Sequence, residues 1–250
     1  NADCSAPVLE KLAQVGIRCL LLRCAGYNNV DLAAAQKCGI TVLRVPGYSP
    51  EAVAEHAMAL AQAANRRICK AYIKVRNNNF ALDGLLGYNL YGSSAGIVGT
   101  GRIGAAMARI CHGFGMTVLA YDQYRNPALD GIVRYVELDE LLRTADLISL
   151  HCPLTPETHE LVNARRLALM KPNAILINTG RGPLVNEQDL ADALNSGKIY
   201  AAGVDVLSTE PPRADNPLLT AKNCYITPHI AWASTEARER LMNIAISNLQ

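Results

Sequence analysis

Short apolar runs alternate with stretches of helical periodicity along the whole 250-residue chain. The first part reads as a helix over 7–15, a buried strand over 17–23, a helix over 31–38 and a strand over 40–45. Ser49 is a candidate N-cap with Pro50 at the first helical position, which predicts one long helix running to about Lys74. Its apolar residues Val53, Ala54, Ala57, Met58, Leu60, Ala61 and Ala64 are dense enough to be buried on most sides. Asn77-Asn78-Asn79 and the turn-rich stretch from Asp83-Gly84 to Tyr91-Gly92 break the pattern and mark a domain boundary.

Beyond that boundary, strands are predicted near 95–99, 117–122, 133–136, 147–151, 174–178, 202–206 and 225–227. Helices fall between them near 103–113, 138–144, 163–170 and 187–196, and 234–249 reads as a closing helix. Strands that are apolar almost throughout, alternating with helices, imply a parallel sheet covered on both faces. The expected fold class is therefore α/β, a doubly wound parallel sheet of the Rossmann type.

The most informative segment is Ala95-Gly96-Ile97-Val98-Gly99-Thr100-Gly101-Arg102-Ile103-Gly104, where a strand leads into G-x-G-x-x-G and a helix follows. Gly99 permits the tight turn, Gly101 lets backbone N–H groups approach a pyrophosphate, and Gly104 lets the helix pack closely. A second apolar run, from Thr117 to Tyr121, ends in Asp122. An acid there would hydrogen-bond the adenosine ribose and repel a 2′-phosphate, so the pattern points to NAD. Arg125, three residues on, could turn toward such a phosphate.

Composition narrows the picture in three ways. A net charge of +2, with no basic run, offers no case for nucleic acid. No apolar stretch approaches a membrane span, and Asn1-Ala2-Asp3-Cys4 does not resemble a signal peptide. Eight cysteines without a C-x-x-C read as free thiols of a cytoplasmic protein, and no Cys/His cluster has metal-ligand spacing.

In a doubly wound sheet, ligands lie beyond the carboxyl ends of the strands, so polar residues there are the candidates for chemistry. Arg181, between two glycines after strand 174–178, can grip a carboxylate with its planar fork or stand as a plain turn arginine. Asp205 ends the strand 202–206, and Glu210 lies just beyond. His229, after the last strand, suits proton transfer to a carbonyl oxygen, with Glu210 the leading candidate to fix its tautomer. His56 and His112 fall in helices, His159 sits in a polar loop, and His151 opens a loop on the cofactor side.

Together, the fingerprint with Asp122, His151-Cys152-Pro153, Asn178-Thr179-Gly180-Arg181-Gly182, Gly203-Val204-Asp205-Val206, Glu210-Pro211 and Thr227-Pro228-His229 resemble the D-isomer-specific 2-hydroxyacid dehydrogenases in order and spacing. The resemblance covers essentially the whole chain. It implies that Arg181 binds the substrate carboxylate and carbonyl, that His229 is the acid/base and that Glu210 is its partner. It also implies that Arg102, Ile103, Asp122, Cys152, Pro153, Thr158, Thr179, Gly180 and Asp205 join the fingerprint glycines in lining the NAD site.

The front portion, including Gly26 and the run Val45 to His56 with Tyr48, is similar to fermentative D-lactate dehydrogenases. Gly26 and Tyr48 are accordingly expected to contact substrate. The back portion, with Gly182-Pro183-Leu184-Val185-Asn186-Glu187 and His229-Ile230-Ala231-Trp232-Ala233, is more similar to glycerate dehydrogenases and hydroxypyruvate reductases. The expected reaction is reduction of a small 2-oxo acid to the D-2-hydroxy acid. Pyruvate is the first substrate, with hydroxypyruvate or glyoxylate as the alternative. A third reading is an NAD-sensing interaction protein resembling the C-terminal-binding corepressors.

The expected division is a partial substrate domain over 1–50, a linking helix and connection over 51–92, and an NAD-binding domain over 93–229. A C-terminal helix over 230–250 would return toward the substrate domain. Complete members carry further strands before the first residue and a tail after the last, so the flavodoxin-like substrate domain is expected to be smaller and truncated. The resemblance also implies a homodimer through the helix near 50–74, against the alternative of a helix buried within its own subunit.

Overall fold

The computed structural model describes residues 3–27 and 29–249; Asn1, Ala2, Asn28 and Gln250 lie outside it. The chain forms two compact units, residues 1–50 with 232–250, and residues 51–231.

The first unit opens with α1 (Ala6–Gln14), β1 (Cys19–Leu21), α2 (Leu32–Lys37) and β2 (Thr41–Leu43), and the two strands pair in parallel. Asp31 caps α2 by accepting a hydrogen bond from Ala34 N. Leu9, Leu22, Val30, Ala35 and Ile40 form its core.

The second unit runs α3 (Pro50–Asn65), α4 (Ile68–Arg76), β3 (Ser94–Val98), α5 (Arg102–Gly113), β4 (Thr117–Tyr121), β5 (Val133–Tyr135), α6 (Leu138–Thr144) and β6 (Leu147–Leu150). It continues through α7 (Ala164–Leu169), β7 (Ile175–Asn178), α8 (Glu187–Asn195), β8 (Ala201–Val204) and β9 (Cys224–Ile226). The chain then rejoins the first unit as α9 (Thr235–Ser247), where Leu241 and Ala245 bury against Val45.

All seven strands of the second unit are parallel, in the order β5-β4-β3-β6-β7-β8-β9. The strand order reverses between β3 and β6, so a ligand crevice is expected beyond the carboxyl ends of that pair. The central strands are buried along their whole length, in keeping with helices on both faces. One face packs Leu141, Leu142, Ile148, Leu176 and Leu190, and the other packs Ala57, Leu60, Ile97, Met107 and Ile177.

One expectation about the helix near 50–74 is corrected here. The helix is not continuous, because Arg67 takes a left-handed conformation (φ 53°) and divides α3 from α4. Buried Asn65 bonds both the backbone N–H and the carbonyl of Tyr88, while Arg67 stacks 4.0 Å above the Tyr200 ring. These tertiary contacts end α3 where no proline or glycine does. Most apolar residues of α3 are buried, and a Cβ on Gly203 would lie 3.0 Å from the Leu60 Cβ, so the helix rests directly on the sheet. Helix α4, by contrast, contains no buried residue.

Asp146, at the start of β6, ties three strands together at the other end of the sheet. Its carboxylate accepts from Ser94 N (2.9 Å), Ser94 Oγ (2.7 Å), Lys171 Nζ (2.9 Å) and Asn173 Nδ2 (3.0 Å). Burial alone would raise its pKa, but these donors outweigh it and hold the group at about 2. A carboxylate depressed in the folded state stabilises above its unfolded pKa and loses that contribution as pH falls through its folded one. Asp146 should therefore contribute about 1 to 2 kcal/mol above pH 4, after discounting for partial exposure. Denaturant titrations are expected to show a stability loss between about pH 4 and pH 2 that Asp146→Asn flattens.

Candidate active site

Three loops leave the carboxyl ends of β3, β4 and β6 and meet around Gly99. This glycine has φ 92°, and a Cβ on it would lie 2.6 Å from the Cys152 backbone nitrogen, so only glycine fits. A Cβ on Gly104 would overlap the Gly99 carbonyl oxygen, which shows how closely α5 abuts the turn. Around Gly101 the picture is the opposite: a Cβ there would meet no atom within 4 Å. No side chain caps α5, whose first turn begins with exposed Arg102 and half-buried Ile103. The first-turn N–H groups and positive end of that helix suit a pyrophosphate.

Asp122 is held in place by the same turn. Its carboxylate accepts from Thr100 N and Thr100 Oγ1 and, at 3.2 Å, from Tyr124 N. Burial pushes its pKa up, but these donors prevail and the net shift is downward, so the group is anionic near neutral pH. Tyr135 Oη donates to Thr100 Oγ1 (3.1 Å) and Asn126 Nδ2 to Thr100 O (2.8 Å), bracing the turn from behind. Arg125 lies over the Tyr135 ring, 5.6 Å from its centroid. The fixed charge of Asp122 should cost a 2′-phosphate several kcal/mol. NADH is expected to exceed NADPH in kcat/KM by on the order of a hundredfold, and Asp122→Ser to narrow the gap. Equal values for the two cofactors in the unaltered enzyme would overturn this role for Asp122.

Beyond β6, His151 Nε2 sits 2.9 Å from Ser149 Oγ, and burial lowers the ring's pKa to about 4. It is neutral at pH 7 and unsuited to supply a proton there. Burial pushes the Cys152 thiol up to about 11, so it is no thiolate nucleophile. Thr158 Oγ1 donates to Pro153 O and accepts from Thr155 N, both at 2.7 Å, closing the loop on itself.

At the end of β7, buried Asn178 shapes the next turn, donating to Arg181 O (2.8 Å) and accepting from Gly180 N (3.0 Å). Arg181 Nη1 donates to Gly180 O at 2.7 Å. A Cβ on Gly182 would run into the backbone of Leu207 and Ser208, so this turn and the loop after β8 touch main chain to main chain. The Thr179 hydroxyl, in the turn after β7, is buried and makes no hydrogen bond. An orphaned buried hydroxyl, an open cradle at Gly101 and an anchored acid at Asp122 are what an NAD molecule lying across these loops would use.

The loop after β8 brings Glu210 to His229. His229 Nδ1 lies 2.7 Å from Glu210 Oε2, and Glu210 Oε1 accepts from Leu207 N at 3.1 Å. A carboxylate only accepts, so Nδ1 carries the proton of this bond. Glu187, not singled out by sequence, pins this loop by accepting from Ser208 N (2.7 Å), Ser208 Oγ (2.8 Å) and Asn216 Nδ2 (2.9 Å).

Asp205, expected among the cofactor residues, stands at the end of β8 with its carboxylate buried. It accepts from Thr227 Oγ1, Ile230 N (2.9 Å) and Ala231 N (2.8 Å). Burial works against its charge, yet these donors and His56 keep its pKa low. Gly26 and Tyr48 belong to the first unit: Cys24 Sγ donates to Gly26 O (3.1 Å), and Arg240 Nε to Tyr48 O (2.7 Å).

Residues 58–231 match the family model described as D-isomer specific 2-hydroxyacid dehydrogenase, NAD binding domain. The chain belongs to this family. It is 49% identical over 247 residues to the hydroxypyruvate reductase of Blautia hydrogenotrophica, covering 94% of this chain and 75% of that one. The apo-structure of D-lactate dehydrogenase from Escherichia coli superposes with a TM-score of 0.92 at 46% identity, covering 100% of this chain and 79% of that one. D-lactate dehydrogenase from Lactobacillus jensenii, solved with NAD+, is similar with a TM-score of 0.82 at 34% identity, covering 99% and 79% respectively. The chain is thus an NAD-dependent oxidoreductase that interconverts 2-oxo and 2-hydroxy acids.

Proposed function

We propose that Arg181, Glu210 and His229 carry the reduction of a small 2-oxo acid to its D-2-hydroxy acid, with pyruvate as the preferred substrate. The observation that carries this reading is the 2.7 Å pairing of His229 Nδ1 with Glu210 Oε2. Arg181 binds the substrate carboxylate through its fork and draws electron density from the ketone oxygen. Glu210 holds the imidazole in one tautomer and stabilises its charged form, so that Nε2 hands a proton to the carbonyl oxygen. When bound, NADH supplies the hydride. Gly26 and Tyr48 stay assigned to substrate contact through the likeness of the front portion to D-lactate dehydrogenases. The cofactor is held by Gly99, Gly101, Arg102, Ile103, Gly104, Asp122, Cys152, Pro153, Thr158, Thr179, Gly180 and Asp205.

The likeness to hydroxypyruvate reductase supports hydroxypyruvate as the second substrate. Steady-state assays of pyruvate, hydroxypyruvate, glyoxylate and phenylpyruvate with NADH decide between them. The largest kcat/KM is expected for pyruvate, and a tenfold advantage for hydroxypyruvate would reverse the order.

Assembly as a homodimer is proposed through α4, the later part of the expected 50–74 stretch, and the segment that follows it. Ile73 on α4 and Phe80, Leu82 and Leu86 after it are 58%, 73%, 77% and 86% exposed. Such an apolar run, next to a helix with no buried face, fits a second copy of the chain. Arg66 and Arg67, at the break between α3 and α4, are poor probes because Arg67 is buried against Tyr200. Sedimentation at micromolar concentration is expected to give a dimer that Ile73→Glu with Leu86→Lys converts to monomer. A monomeric unaltered protein would reject the assembly. No helix among the described residues is long and apolar enough to cross a membrane. Its eight cysteines are free, which supports a place in the reducing cytoplasm.

A further inference from the structure

His229 stands in a left-handed backbone conformation, with φ 55°. A non-glycine residue holds such a conformation only when its surroundings over-determine it. The surroundings here are two residues at the end of β8. Thr227 N donates to Val204 O (3.0 Å) and His229 N to Asp205 O (2.8 Å), while Ile230 N and Ala231 N donate to the Asp205 carboxylate. With Pro228 having no N–H, every backbone donor from Thr227 to Ala231 reaches Val204 or Asp205, and His229 N is shared with Thr227 O (3.0 Å). The loop that aims the imidazole is therefore held by the Val204 and Asp205 main chain before His229 and by the Asp205 carboxylate just after it.

What fixes that carboxylate is a chain of side chains reaching back to α3. Thr227 Oγ1 donates its single proton to Asp205 Oδ1. Toward His56, 3.1 Å away on its other side, the same oxygen can only accept, so His56 Nε2 carries the proton of that bond. The same nitrogen lies 3.5 Å from Asp205 Oδ1. The neighbours of His56 on α3, among them Ala54, Ala57 and Leu60, are packed into the core, so the ring projects from a rigid base.

We propose that His56 is a positioning residue: by donating through Nε2 to Thr227 Oγ1, it locks the Thr227–Asp205 brace that holds His229 in its reactive orientation. Its role is to preserve an orientation, and it touches neither substrate nor cofactor in the reaction. Removing the donor leaves the Thr227 hydroxyl short of a partner inside a packed site and frees it to rotate away from Asp205. Small misplacements of a proton donor are costly in rate, while the NAD loops at Gly99, Asp122 and Thr179 are held by other contacts.

The inference rests on His229 being the acid, so His229→Asn is measured alongside. In the purified NADH-loaded enzyme, His56→Leu and Thr227→Val are each expected to lower kcat about ten- to a hundredfold. The Kd for NADH should stay within threefold, by fluorescence titration. Glutamine places an amide N–H near the same point, so His56→Gln should recover most of the loss, as should Thr227→Ser. The double variant His56→Leu/Thr227→Val should lose little more than either alone, because both cut one chain.

A His56→Leu enzyme with wild-type kcat would overturn the proposal, and so would His56→Gln as impaired as His56→Leu, since ring volume would then be what matters. Should His56→Leu fail to fold, Thr227→Val with unchanged kcat overturns it by itself. If His229→Asn keeps normal turnover, the assignment of the acid has failed instead, whatever the His56 variants do.

Discussion

Replacing His229 with alanine is expected to lower kcat by about a hundred- to ten-thousandfold, the range that general acid catalysis contributes. The fall should appear in kcat and kcat/KM alike, because the proton is needed in the transition state and not for binding. NADH affinity should be little changed, since the residues assigned to the cofactor lie on the loops after β3, β4, β6 and β7, in the first turn of α5 and at the end of β8, and His229 is not among them. Asparagine at 229 makes the cleaner companion, because it tolerates the left-handed conformation that His229 adopts with φ 55°. If His229→Ala and His229→Asn fall together, the loss belongs to the imidazole and not to a relaxed backbone. Glu210→Gln is expected to retain a hydrogen bond to Nδ1 while losing the charge that stabilises an imidazolium, so kcat should fall less than in either His229 variant. Near-normal turnover in His229→Ala would remove His229 from the mechanism.

The pairing behind that prediction was legible in the sequence because each partner follows an apolar strand or sits just past its end. Strands β6, β7 and β8 are buried throughout, so each reads as an unbroken apolar run whose end can be located within a residue or two. Once the strand ends are known, a doubly wound sheet delivers Arg181, Asp205 and His229 to one side. The glycine fingerprint was legible for a related reason: Gly99 and Gly104 have no room for a side chain, so their spacing is a direct imprint of backbone contact.

What local pattern could not reveal are contacts made by tertiary structure alone. The end of α3 carries no proline or glycine, and the break at Arg67 is fixed by Tyr88 and Tyr200, neither of which is near in sequence. His56 looks like any histidine on a helix among alanines, because its partner Thr227 is 171 residues away. Asp205 shows the converse limit. Its position at a strand end was readable, but the use of its carboxylate depends on how the loop from Thr227 to Ala231 folds back over it.

A pair of glycine variants would separate fold from function more sharply than any catalytic substitution. Gly182 carries no positive φ and opens a short 3-10 turn, so alanine there meets no conformational penalty. Its methyl would instead collide with the Leu207 carbonyl and the Ser208 nitrogen, rigid main-chain atoms that cannot rotate away. The loop bearing Arg181 and the loop leading to Glu210 would be wedged apart. Gly182→Ala is expected to lower both thermal stability and turnover, with kcat/KM reduced about a hundredfold or more because two elements of one site lose their register. At Gly101 the added methyl meets nothing in the protein, so the fold should tolerate it at a cost near or below about 1 kcal/mol, or roughly 2–4 °C in Tm. The methyl would, however, occupy the space offered to the pyrophosphate, so NADH should bind at least about tenfold more weakly, a loss of ~1.4 kcal/mol. Differential scanning fluorimetry with and without NADH reads both effects in one experiment. Gly182→Ala should melt early in either condition, and Gly101→Ala should melt normally but lose the shift that the cofactor confers on the unaltered enzyme. A Gly101→Ala protein that keeps the full NADH shift would mean that the cofactor phosphates do not lie over this turn.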